Sequence, residues 1–196
     1  MNAPGGIGNR QTATREGRRL RQRVWNNPTE SGNPTHDVRY VYDGWNLVAS
    51  LDHQSSILYS FMWGLDLSGT MQGAGGVGGL LAITDASQGS HFCAYDGNGN
   101  VTALVEADGA GLTAQYEYGP FGELLRATGP MAKANPFRWS TQYTNDETDL
   151  VMYLHRPYSP STGRFLSRDP IGESGGKNVY VFVHNNAISQ IDAWGL

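Results

Sequence analysis

Two aspartates near the carboxyl end carry the group most directly suited to peptide hydrolysis. Asp169 opens Asp169-Pro170-Ile171-Gly172, and Asp192, twenty-three residues later, opens Asp192-Ala193-Trp194-Gly195 directly before Leu196. Two carboxyls held close together are forced to different pKa values. The ionised one then draws a proton from water, while the protonated one polarises a carbonyl. The same residues also serve in plain turns, where Asp accepts local backbone N–H groups and Gly takes a positive φ. On the motif alone Asp169 reads as a turn residue.

Other chemistry is weakly supported. Gly73-Ala74-Gly75-Gly76-Val77-Gly78 fits GxGxxG by letter, but a dinucleotide turn needs a strand before it and a helix after it, and the stretch reads as a flexible loop. His36, His53, His91, His155 and His184 have no metal-ligand spacing, so no metal site and no cofactor are expected. Cys93 is the single cysteine, which excludes an intrachain disulfide. Gly-x-Ser-x-Gly, His-Glu-x-x-His and Walker sequences do not occur. Trp25, Trp45, Trp63, Trp139 and Trp194 suit either a sugar platform or a strand-to-strand core, and exposure would separate the two.

The elements that must position these groups read as β. The chain has 196 residues, 16% of them charged, with 26 glycines and 11% aromatic residues, a composition of turns and strands in one ordinary-sized domain. Short apolar or alternating stretches at 38–42, 46–51, 57–63, 80–84, 91–95, 101–105, 113–118 and 150–155 predict an antiparallel array of hairpins. Asp43-Gly44, Asp96-Gly97, Asn98-Gly99 and Asp108-Gly109 supply the turns. The segment 175–186 is ambiguous between a short helix and extended chain.

The net charge of −4 is unevenly spread. Arg10, Arg15, Arg18, Arg19, Arg21 and Arg23 face only Glu16 in residues 1–23, a local +5 against −9 elsewhere. No aromatic residue interleaves these arginines before Trp25, so residues 1–37 read as a basic, unstructured arm and nucleic-acid binding is not expected. No apolar run is long enough to span a membrane, and no signal-peptide core is visible at the start.

An internal repeat organises the rest. Aromatic residues leading into turns fall at Tyr42, Trp63, Tyr95, Tyr118 and Trp139, separated by 21, 32, 23 and 21 residues. A unit of this size holds two strands, cannot bury its own apolar face, and must stack on its neighbours.

Tyr42-Asp43-Gly44 and Tyr95-Asp96-Gly97 head such units as YD repeats do, and the run Gly163-Arg164-Phe165-Leu166-Ser167-Arg168-Asp169-Pro170-Ile171-Gly172 with Asn178-Val179-Tyr180 and Asn185-Asn186 resembles the Rhs repeat-associated core. The resemblance covers about residues 38–196: repeat hairpins over 38–135 and the core over 136–196. It implies a β-ribbon wound into a shell, here its closing end, in a polymorphic toxin system. It also implies that Arg156 joins Asp169 and Asp192 as the catalytic set for self-cleavage in cis after Leu196, with Gly195 and Leu196 next to the cut. Ala193 stands where the family has Pro, and Pro157 follows the Arg in place of an aromatic run. The partners implied are other YD-repeat or shell segments, a toxin beyond Leu196 and a secretion spike, with a secreted or surface location. As given, the chain reads as a cleavage product or as a frame ending where a toxin begins. A second class of function is a surface adhesion or carbohydrate-contacting module that cuts nothing.

Overall fold

The computed structural model describes residues 8–13 and 18–196, in two units, Met1–Ser60 and Phe61–Leu196. The first unit is an antiparallel meander of β1 (Gly8–Ala13), β2 (Arg19–Trp25), β3 (His36–Asp43), β4 (Asn46–Leu51) and the first half of β5 (Ile57–Trp63). Val24, Trp25, Val38, Tyr40 and Leu47 are its buried apolar side chains.

This overturns the expected unstructured arm. β2 lies wholly within residues 1–37, and β3 opens at His36. Arg21 and Arg23 sit at alternate positions, the period of one strand face, and the pairing register breaks between Arg21 and Arg19. Arg21 makes a bidentate pair with Asp37 at 2.7 and 2.5 Å. The guanidiniums of Arg18, Arg19 and Arg23 lie over the rings of Trp45, Tyr40 and Trp25 at 5.3, 5.4 and 5.5 Å. The charge that looked solvated is thus spent on partners within the sheet. Residues 1–7 and 14–17, Arg15 among them, lie outside the described residues, and the expectation of an unstructured arm for them with it.

The second unit continues from Phe61 with a meander of β6 (Leu80–Asp85), β7 (Gly89–Tyr95), β8 (Val101–Glu106), β9 (Leu112–Tyr118) and β10 (Leu124–Thr128). The repeat has a physical basis here. Tyr95, ending β7, donates its hydroxyl to the Leu80 carbonyl at the start of β6. Tyr118, ending β9, does the same to Val101 at the start of β8, at 2.6 Å. Each hairpin is closed by the aromatic residue that leads into the next turn. In that turn Asp96 Oδ1 accepts the N–H groups of Asn98 and Asn100 at 2.9 and 3.0 Å.

A second, smaller sheet follows: β11 (Tyr143–Asn145), β12 (Leu150–Met152), β13 (Pro157–Ser159) and β14 (Arg164–Phe165). Behind it Trp139, Val151, Tyr153, Tyr158, Phe165 and Phe182 form an apolar core, and the Tyr158 and Phe182 rings approach to 4.3 Å. None of the five tryptophans is exposed: Trp25 and Trp139 are buried, and Trp45, Trp63 and Trp194 are half-buried. No α-helix forms among the described residues. The ambiguous segment 175–186 is bracketed by single 3-10 turns at Gly172–Gly175 and Val183–Asn185. Val183, His184 and Asn185 have φ of 39°, 52° and 62°, left-handed values that a right-handed helix cannot contain.

The glycine-rich connection between β5 and β6 is a loop, as expected, but a packed one. Buried Asp66 gathers the N–H groups of Ala74 at 2.6 Å, Gly76 at 3.2 Å and Ser68 at 2.9 Å, with the Ser68 hydroxyl at 2.5 Å. Burial pushes the Asp66 carboxyl up, but these hydrogen bonds favour the charged form and hold it below the usual carboxylate range. On the far side, Gly78 N–H donates to Thr141 Oγ1 at 2.8 Å, and Val77 is fully buried.

Candidate functional site

Arg156 sits immediately before β13, whose first residue, Pro157, pairs with Met152 of β12. This start delivers the side chain inward: Arg156 is 2% exposed. Its Cζ lies 3.8 Å from the centre of the Phe165 ring, which takes one face of the guanidinium. The edge of the fork makes four polar contacts. Nε donates to the Gly195 carbonyl at 2.7 Å and Nη1 to the Val179 carbonyl at 3.2 Å. Nη2 lies 3.0 Å from Asp169 Oδ2 and 4.0 Å from Asp192 Oδ2.

Both aspartates reach this point from turns of their own. Asp169 N–H donates to the Val179 carbonyl at 2.9 Å, and its Oδ1 accepts Ile171 N–H at 2.9 Å, leaving Oδ2 for the guanidinium. Asp192 folds the last residues around itself: Oδ1 accepts the N–H of Trp194 at 3.0 Å, Gly195 at 2.6 Å and Leu196 at 3.3 Å. With Oδ1 occupied by three donors, Oδ2 is the oxygen open to a proton. Gly195 has φ +77°, and a Cβ on it would lie 2.8 Å from Tyr153 Cβ, so a side chain there meets both strain and a neighbour.

The two carboxyls have unequal surroundings. Asp192 is raised above the ordinary carboxylate range, because burial outweighs its three backbone donors and Arg156. Arg156 is lowered by burial, against the two acids that favour its charge. Beside them opens a cleft of about 510 Å³ lined by Asp169, Asn178, His184, Asp192, Trp194 and Leu196, among others. Asp169, Asp192, Arg156 and Gly195 therefore converge, and Leu196 lies at the cleft. The backbone of Trp194 ties this turn down: its carbonyl accepts His155 N–H at 3.1 Å and its N–H goes to Asp192.

The Teneurin YD-shell family model matches residues 75–188, more than half of the chain. The chain belongs to that family. Among curated proteins similar to this YD-shell chain are tRNA3(Ser)-specific nuclease WapA of Bacillus spizizenii, 29% identical over 174 residues, and Double-stranded DNA deaminase toxin A of Burkholderia cenocepacia, 44% identical over 61 residues. These alignments cover 85% and 31% of this chain, but 7% and 4% of those proteins. The crystal structure of TcdB2-TccC3 without its hypervariable C-terminal region shares the fold, with TM-score 0.65 and 21% identity over 92% of this chain and 8% of that one. This YD-shell chain therefore spans less than a tenth of the length of these relatives, as a strip of β wall ending in a small sheet.

Three residues of the site carry no signal in their motifs. Tyr153 packs against Gly195 and donates its hydroxyl to Ser140 Oγ at 2.9 Å. Phe165 supplies the ring under Arg156, although it lies in a run that was read for its Asp. Gly75 touches the terminal turn from more than a hundred residues away. Only the richness of glycine in its loop could have drawn attention to it.

Proposed function

We propose that this chain is the closing end of a YD-shell wall in a secreted polymorphic toxin system, and that it cuts itself in cis at the bond following Leu196. The observation that carries this reading is the meeting of Asp169 Oδ2 and Asp192 Oδ2 at one nitrogen of a buried arginine that also holds the Gly195 carbonyl.

Asp169, the closer ion-pair partner, is the base, and Asp192, raised by burial, is the acid. A water oxygen adds to the Leu196 carbonyl carbon as Asp169 takes a water proton and Asp192 gives its own to the carbonyl oxygen. The tetrahedral centre then collapses: the C–N bond breaks, the leaving nitrogen takes the proton held by Asp169, and Asp192 recovers its own. The products are a Leu196 carboxyl and a new amino terminus. Arg156 holds both acids and the penultimate carbonyl in register. The nuclease and deaminase toxin among the relatives support a toxin as the released segment.

The test is a chain extended beyond Leu196 by a foreign domain, followed by intact mass. Cleavage after Leu196, lost in Asp169→Asn and in Asp192→Asn, is the expected result. A fusion that stays whole through prolonged incubation from pH 4 to 8 would overturn it and favour an adhesion module without catalysis.

A further inference from the structure

We propose that the glycine-rich loop at residues 73–79 is the seat of the terminal Asp192 turn, with Gly75 as its contact point, and so acts as a positioning element for cleavage. Its functional meaning rests on the self-cleavage reading. The seat itself rests on separate geometry.

A Cβ built on Gly75 would lie 1.8 Å from the Ala193 carbonyl oxygen and 2.9 Å from its carbon. The space that any side chain needs is thus filled by the backbone of the residue after Asp192. Gly75 has φ +62°, so it combines a left-handed backbone with an approach that only a residue lacking Cβ allows. Such proximity of a Cα–H to a carbonyl is a weak attractive contact. More important, it is a stop: Ala193 cannot move toward the loop, and Asp192 is bonded to the three residues from Trp194 on. The loop is rigid enough to serve as a stop because it is held from both sides. Asp66 takes the N–H groups of Ala74 and Gly76, which flank Gly75, and Thr141 takes that of Gly78. Gln142 Nε2 also reaches the Gly75 carbonyl at 3.4 Å. Asn98 Nδ2 makes a parallel tie upstream of the turn, donating to the carbonyls of Ala187 and Ile188 at 3.2 and 2.7 Å.

The test uses the full chain extended beyond Leu196 by a reporter domain, with Gly75→Ala, Asp66→Asn and, as control, Gly69→Ala. Gly69 has φ +75° and nothing within 4 Å of its Cβ position, so it carries the backbone strain without the collision. Two readouts are taken: the rate of cleavage across pH, and deuterium uptake by the peptide covering residues 188–196. Gly75→Ala should slow cleavage at least about tenfold, as misplacement near a reacting bond does. It should also move the high-pH limb of the rate profile downward as Asp192 gains water, and raise uptake at 188–196. Gly69→Ala should match the parent in all three, and Asp66→Asn should follow Gly75→Ala in direction. Parental uptake in Gly75→Ala, or equal changes in Gly69→Ala, overturns the seat. If Gly75→Ala loses its cooperative melt, Asp66→Asn decides by the same uptake. An uncut parent would instead count against self-cleavage, while the uptake comparison still decides the seat.

Discussion

Arg156 donates its Nε–H to the carbonyl of Gly195 at 2.7 Å, so the guanidinium and the final turn of the chain are fixed to each other rather than only to a shared surroundings. A planar fork makes this compatible with reaching Asp169 and Asp192 from Nη2.

That relationship predicts that Arg156→Lys is not conservative. A lysine ammonium can meet one carboxylate or the Gly195 carbonyl, but not all three in one plane. Cleavage in the extended chain should fall by on the order of 10²-fold, the usual loss on removing a fixed electrostatic donor from a site. Time courses of intact mass would check this, and a loss below about threefold would refute it.

Removing the charge altogether should be felt in stability. Arg156→Leu leaves two carboxyls buried without their cation, a change that typically costs about 3–5 kcal/mol. Replacing Asp169 and Asp192 with Asn in the same molecule, which removes both charges but keeps oxygens to accept the turn N–H groups, should recover a large part of that loss, because no buried charge then lacks a partner. Urea unfolding of the single and triple variants measures both. If the triple variant is no more stable than the single, the acids are not what makes Arg156→Leu costly.

Asp192 gives a pH dependence of definite sign. Its carboxyl is raised in the native state, so the native chain keeps that proton to higher pH than the unfolded chain, where an Asp titrates near about 3.9. Stability from this group is therefore present below about pH 4 and is lost as pH rises through the native value. Asp192→Asn keeps an acceptor for the three backbone donors and removes the titration. The variant should gain on the parent between about pH 4 and 7, read from unfolding midpoints at each pH. A constant gap would show that Asp192 does not titrate abnormally.

Asp66 runs the other way. Held low by its hydrogen bonds, it contributes stability above about pH 4 that is lost as pH falls through its native value. The parent should exceed Asp66→Asn by about 1.5–3 kcal/mol at pH 6, the range for hydrogen bonds to a charged group. The margin should shrink by pH 3. Melts at the two pH values would show it, and an equal margin at both would contradict it.

Much of the wall was legible because its signals are local. Alternating stretches and Asp-Gly turns mark β3 through β9 to within a residue or two, and Tyr95 and Tyr118 mark the repeat that their hydroxyls close. Reading by composition failed at Arg19, Arg21 and Arg23, where charge suggested solvent but each guanidinium has a ring or an acid to meet. The stretch predicted at 150–155 is strand over Leu150–Met152, as β12, whereas β10, with Leu124 and Leu125 beside Arg126, and the two- or three-residue strands β11, β13 and β14 are too short to show a period. In the site, Asp169, Asp192 and Arg156 were found through a run of matching residues. Tyr153 and Gly75 were not, because a close approach between residues far apart in sequence leaves no trace in the spacing of either.

The amides that wrap Asp192 and the carbonyl that Arg156 grips all belong to residues up to Leu196, on the near side of the proposed cut. Whatever departs takes none of these bonds with it, and the stump stays lodged beside the acids that made it. Such a centre would keep its own product, and the proposed cut would be made once per chain.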